Sequence, residues 1–273
     1  MTTSAWLEAA LTAVVFATAG CGQSATTGPG GSDAGGGALA PHYGQVLVTY
    51  EQMMNGAGGG LSAVLQQGNA SACTSRSTDA CSIFRCDISA GGAAPLTNLS
   101  AGTITITGGS TQGTLVPGSD KSYSEASTGV VSFSTGATVG FRASGGDDIR
   151  SWVSSVLFPS PIRVTNPQSG IIDHTKGLAL TWTGGSSMVL ATIEESVPDR
   201  IVLISCLFDA AGGSGTIPPA AVSDLEPSST LGGSGGEGDL SILSVGATHV
   251  SPAGFPVLIA AGSVAFSTLP TIQ

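Results

Sequence analysis

Residues 102–107 read Gly-Thr-Ile-Thr-Ile-Thr and residues 201–208 read Ile-Val-Leu-Ile-Ser-Cys-Leu-Phe. In the first run Ile104 and Ile106 point one way and Thr103, Thr105 and Thr107 the other, the period-two pattern of a half-buried strand. The second is apolar on both faces, as a central strand must be. Residues 45–51 alternate likewise, with Val46, Val48 and Tyr50 on one side. Val131 with Phe133 and Val139 with Phe141 repeat the pattern across a turn at Gly136, which predicts a hairpin.

A second set of runs follows Pro159 and Pro161, which interrupt pairing and mark a boundary. Residues 162–165, 178–183, 188–194 and 200–208 read as strands, separated by Gly, Asn, Pro or Asp. Pro218 and Pro219 open one short helix ending near Leu225, because proline is tolerated in a first helical turn. Strand character resumes over 240–250 and 256–269. Short strands at intervals of roughly ten residues indicate an all-β chain of antiparallel sandwiches, one or two domains in number. Two are expected: residues 45–158 and residues 159–273.

The N-terminus has a different character. Residues 9–20 are apolar and stop at Cys21, ahead of a Gly/Ser/Thr/Pro-rich stretch. Twelve helical residues span roughly 18 Å, short of a bilayer core of about 30 Å, so the run suits a signal h-region better than a span. A signal peptide over 1–20 is expected. Thr18, Ala19, Gly20 and Cys21 resemble the bacterial lipoprotein processing site, which implies lipid on Cys21 and, with Gly22 next, sorting to the outer membrane or cell surface. A plain secretory signal using Ala17 and Ala19, or a short buried helix, are the alternatives. Residues 21–44 then form a tether, since Gly, Ser, Thr and Ala with the single charge Asp33 offer too little apolar surface to order themselves.

Composition agrees with export. Charged residues are 10% of the chain against about 25% in ordinary soluble proteins, and glycine, at 41 residues, is about twice as frequent as usual. A net charge of −10 with eight Lys and Arg argues against nucleic acid, because few cations are present to neutralise phosphates. With Cys21 assigned to lipid, Cys73, Cys81, Cys86 and Cys206 remain, an even number that predicts disulfides in an oxidising compartment. Three pairings are open. Phe84, Cys86 and Ile88 share one strand face with Cys81 on the other, while Val202, Ile204, Cys206 and Phe208 share a face. The favoured arrangement closes a loop from Cys73 to Cys81 and leaves Cys86 and Cys206 facing the core, paired or free.

Asn166, Pro167, Gln168, Ser169, Gly170 and then residues 178–185, Leu-Ala-Leu-Thr-Trp-Thr-Gly-Gly, resemble the opening of bacterial and fungal Ig-like surface modules. The order of lipidated cysteine, Gly-rich tether and β modules is similar to bacterial surface lipoproteins. The resemblance implies a fold and a location and carries over no catalytic residue.

Candidate chemistry is sparse. Gly232, Gly233, Ser234, Gly235 and Gly236 match a nucleophile-elbow pattern but lack its strand and helix. Asp147 with Asp148 reads as an acidic turn, because a hard cation needs six or more oxygens. Asp173, His174 and Lys176 read as a polar turn, and His42 and His249 are isolated. No metal, cofactor or catalytic residue is assigned. Trp182 shares a face with Leu178 and Leu180 and belongs to the core, which leaves Tyr123 and Trp152 as candidate ligand contacts. The expected function is an exported, membrane-anchored, non-catalytic surface binding or structural module of the cell envelope, with an envelope protein or polysaccharide as partner. The alternatives are a carbohydrate-binding module and a secreted hydrolase.

Overall fold

A computed structural model describes residues 46–52, 59–68, 73–78, 80–87, 96–108, 113–123, 133–197, 199–227, 237–252, 255, 257–268 and 270–273. The signal, Cys21 and tether readings therefore lie outside the described residues, as do His42 and the glycine-rich run 232–236. The first half of the chain gives β1 (Val46–Gln52), β2 (Gly59–Gly68), β3 (Cys73–Thr78), β4 (Cys81–Asp87), β5 (Leu96–Asn98), β6 (Ile104–Thr107), β7 (Gly113–Leu115), β8 (Thr138–Ala143) and β9 (Trp152–Leu157). Next come β10 (Ile162–Asn166), β11 (Ile171–Ile172), β12 (Leu178–Gly184), β13 (Met188–Val197), β14 (Arg200–Asp209) and β15 (Ser214–Ile217). Helix α1 (Pro219–Val222), β16 (Glu237–Val250), β17 (Val257–Thr268) and β18 (Thr271–Ile272) complete the series. The chain is all-β, as the alternation predicts.

A nine-stranded sheet runs in the order β3-β4-β14-β13-β16-β17-β1-β2-β5, antiparallel throughout except where β1 lies parallel to β17. The doubly apolar run forms β14, enclosed between β4 and β13. Two smaller sheets, β7-β6-β8-β9 and β10-β12-β15, accompany it, with the short pair β11-β18. The expected boundary at residues 158–159 falls between β9 and β10, and the nine-stranded sheet takes strands from both sides of it. Of the hairpin expected from Val131 and Phe133 with Val139 and Phe141, Val131 lies outside the described residues and Phe133 does not pair with β8. Both edges of β8 are taken, by β6 and β9, and Phe133 lies outside any strand.

Both small sheets pack on one face of the large one. Leu61, Ala63 and Leu65 of β2 and Val257, Ile259 and Ala261 of β17 pack against Ile104, Ile106, Val139 and Phe141. Farther along the same face, Val189, Ala191 and Ile193 of β13 and Val202, Ile204 and Cys206 of β14 meet Leu178, Leu180 and Trp182. β16 joins the two regions. Its Ile242 belongs to the second core, and its Gly246 pairs with Ala261 of the first. Between them residues 157–160 cross over β16, where Ser244 Oγ donates to the Ser160 carbonyl at 2.6 Å. A Cβ on Gly246 would lie 2.0 Å from the Leu157 carbonyl oxygen, so only glycine allows that crossing.

The opposite face of the large sheet is also apolar. Leu190, Leu243, Val245 and Leu258 form a cluster there, and Phe84 and Leu203 are fully buried on the same side. Chain length explains how. Only residues 69–72 join β2 to β3, so Gly68 and Cys73 stand at most about 18 Å apart. In a flat sheet the seven strand steps between β2 and β3 alone would separate them by about 34 Å. The sheet is therefore strongly curled, and a sheet curled this far turns one face inward.

Candidate functional site

Two disulfides fasten the β3 end of the sheet. They join Cys73 to Cys86 and Cys81 to Cys206, which corrects both the Cys73–Cys81 loop favoured by the sequence and the expectation that Cys86 and Cys206 face the core together, paired or free. Strand register is the reason: Cys73 lies directly opposite Cys86 in the β3–β4 hairpin, and Cys81 opposite Cys206 across β4 and β14. The faces read from alternation hold, because Cys81 and Cys206 share the core with Ile83 and Ile204 while Cys86 points to the other side. Disulfides here are compatible with an extracytoplasmic location.

A strap from β15 to residue 227 lies across this end. Ala221, Val222 and Leu225 bury themselves in the second core. Asp224 accepts from Arg76 Nη2 at 2.8 Å and faces Arg85 at 3.9 Å. Arg200 links Glu226 (3.0 Å) to the buried Glu195 (3.1 Å), and the Glu226 N–H donates to Glu195 at 2.9 Å. Burial raises the Glu195 carboxyl above its ordinary value, and the Glu226 N–H and the Arg200 guanidinium only partly offset this. None of these contacts has a local sequence signal, since each joins residues from separate turns or strands.

Tyr123 belongs to a second polar centre. Its hydroxyl accepts from the Ala101 N–H and donates to the Gly102 carbonyl, both at 2.8 Å, and burial raises its pKa. Beside it Lys121 places Nζ 3.0 and 2.8 Å from the two oxygens of Asp148, which also accepts from the Ser100 N–H at 2.8 Å. Burial alone would push Asp148 up, but those bonds and the Lys121 charge hold it below the usual carboxylate range. Lys121 is the one described non-glycine residue with a left-handed backbone, φ 63°, and the turn bond from its N–H to Gly118 together with the Asp148 pair keeps it there. A cavity of about 170 Å³ opens between this turn, β2 and Asn98. Ligand pockets usually hold about 300–1,000 Å³, so this one takes a single side chain or a few waters.

The other sequence candidates separate. Trp152 is buried, 7% exposed, with its indole N–H lacking a partner among the described residues, so its ring is not displayed. Trp182 is core, its Nε1 donating to the Ala210 carbonyl at 2.8 Å. Asp147 is exposed beside Asp148. Asp173 bonds Thr175 and Lys176, which hold it well below the ordinary range, and the His174 ring is hydrogen-bonded to the Gln273 carbonyl. His249 lies in β16. Among the described residues no three His, Cys, Asp or Glu are placed to hold a metal, and no helix is long and apolar enough to cross a membrane.

No protein-family model, curated protein or solved structure matches the chain. Function must therefore be argued from its own residues.

Proposed function

We propose that the chain is an exported, lipid-anchored module of the cell envelope that binds or braces a partner without catalysis. The observation that carries this reading is the pair of cross-strand disulfides at the β3 end of the curled sheet. Such bonds persist where thiols are oxidised, and they stiffen the sheet's terminal hairpin rather than a reactive centre. The apolar run 9–20, the lipoprotein-like residues 18–21 and the Gly-rich tether support attachment through Cys21. A tether of some 20 flexible residues reaches roughly 25 Å, enough to hold the folded part clear of the lipid headgroups.

Labelled palmitate and membrane fractionation test the anchor. The native chain is expected to take up label and sediment with membranes, and Cys21→Ser to do neither while still being exported. Failure of the native chain to take up label in a host with an intact export pathway removes the anchor. Turnover of any member of an ester, peptide and glycan panel removes the non-catalytic reading.

A further inference from the structure

We infer that the cavity between β2, Asn98 and the turn at residues 118–123 is a subsite for one neutral pyranose ring of a polysaccharide. This rests on the reading of the chain as a binding module and names the chemical class of its partner.

Size comes first. The cavity holds about 170 Å³. An engineered apolar cavity of about 150 Å³ admits benzene, so a single six-membered ring fits. The lining decides what that ring carries. Gln66, Asn98, Lys121 and Ser122 bring two amides, an ammonium and a hydroxyl to the space, and Tyr123 and β2 supply its apolar wall. The Tyr123 hydroxyl is already spent on Ala101 and Gly102, so what it offers the cavity is its ring.

Much of the polar capacity is unspent. Gln66 gives one amide hydrogen to Asn98 Oδ1 at 3.0 Å, and Asn98 gives one to the Asp120 carbonyl at 3.2 Å. Among the described residues each keeps its second amide hydrogen, and Gln66 keeps its carbonyl oxygen. A sugar hydroxyl, donor and acceptor at once, suits an amide that offers both. These groups also stand on two sides, Gln66 and Asn98 on one and the turn on the other. Hydroxyls spaced round a ring meet both walls, whereas a partner's side chain carries its polar atoms at the tip alone.

Charge selects a neutral sugar. The Lys121 ammonium in the lining rejects a cation at contact. Asp148 at its side, Asp147 close enough to act on it and Asp120 in the same turn make the surroundings anionic, which opposes an acidic sugar. The walls are also preformed. The Leu99 N–H donates to the Leu65 carbonyl at 2.6 Å, and the turn closes through Lys121 N–H to Gly118 at 3.0 Å and Gly118 N–H to Ser122 at 2.8 Å. Little ordering therefore remains when a ring arrives.

The probes are the methyl α- and β-pyranosides of glucose, galactose and mannose, titrated into the full oxidised chain in a sugar-free zwitterionic detergent. At least one should bind, at roughly millimolar strength for a single ring, and shift the side-chain amide resonances of Gln66 and Asn98 together. The methyl glycosides of glucuronic acid and glucosamine should bind at least tenfold more weakly. Gln66→Met keeps the volume and removes the amide, and should weaken binding at least tenfold. Ser122→Trp sets an indole at the cavity from an exposed position of the turn and should abolish binding; it decides alone if Gln66→Met does not fold. No shift at Gln66 and Asn98 with any of the six, binding untouched by Ser122→Trp, or a charged sugar bound as well as the neutral ones overturns the proposal. In cells, a photocrosslinker at Ser122 should capture glycan, seen as a periodate-sensitive product. Capture of a protein there, or capture only from exposed Thr138 of β8, defeats the sugar subsite and spares the binding module, whereas capture from neither position defeats both.

Discussion

Removing the two disulfides separately should cost unequal amounts. Cys73–Cys86 closes a sequence separation of 13 and Cys81–Cys206 one of 125. Cross-links restrict the unfolded chain more as the loop lengthens, giving about 3 kcal/mol for the first and about 5 kcal/mol for the second. The replacement should be alanine in pairs, because all four sulfurs lie in residues at most 2% exposed and a serine hydroxyl there would add its own desolvation cost. The packing lost with two Sγ atoms is similar in both variants, so the difference of about 2 kcal/mol reports mainly loop closure. Urea unfolding followed by tryptophan fluorescence and far-UV dichroism measures it, with the slope checked because a freer unfolded state exposes more surface. Equal losses, or a greater loss for Cys73→Ala/Cys86→Ala, would refute the argument and show that the β3 hairpin, not the long loop, limits stability.

Gly246→Ala should destabilise by about 1–3 kcal/mol, because its Cβ meets the Leu157 backbone, while Gly212→Ala, with open space around the added carbon, should stay within about 0.5 kcal/mol. Matched urea titrations check this, and equal effects would count against the crossing of 157–160 over β16. Lys121→Met should leave stability little changed and should raise the Asp148 pKa, read by carbon-detected titration; an unmoved Asp148 would show the pair to be idle. Acid should first stabilise and then destabilise the fold. Glu195 and Asp239 are raised by burial, so the folded state takes up their protons first and gains stability as pH falls through their folded values, with the gain complete below their ordinary values. Asp148 is lowered, so its contribution is whole above the ordinary aspartate value and is lost as pH falls through the folded one. Melting temperature should therefore rise as pH falls from 7 and turn over only near the ordinary carboxylate values, about pH 4, and a steady decline from pH 7 downward would contradict the assignment.

Much of the fold is legible because a strand's period is local. Ile104 and Ile106 turn inward with no help from tertiary context, and a run apolar on both faces, such as 201–208, must be enclosed on both. Sheet order is not legible, since β1 joins β17 more than 200 residues later in a parallel pairing that neither segment announces. The disulfides stand between these cases. Alternation puts Cys81 and Cys86 on opposite faces, but the deciding signal is that only two residues separate Thr78 from Cys81. Antiparallel pairing at that spacing sets Thr78 against Cys81 and so brings Cys73 to Cys86. Tyr123 sits in a polar loop and reads as exposed. Its hydroxyl instead satisfies Ala101 and Gly102, more than twenty residues away, a contact that only the packed loop creates.

The curl of the large sheet also changes what the composition means. With two small sheets on one face and an apolar cluster on the other, residues in β13, β14 and β16 have few positions that water can reach. A chain built this way needs little charge on its strands, so its 10% of charged residues follows from the architecture as much as from the compartment. The same holds for glycine: Gly246 and Gly262 lie in central strands where another backbone oxygen comes within 2.0 and 2.1 Å of the missing Cβ, so they are packing residues rather than tether-like ones. Low charge and abundant glycine are therefore not by themselves a sign of compartment. The cysteines bear on it separately, because sheet packing requires hydrophobic residues at Cys81 and Cys206 but does not require sulfur, and four cysteines falling into two directly opposed pairs are compatible with an extracytoplasmic location.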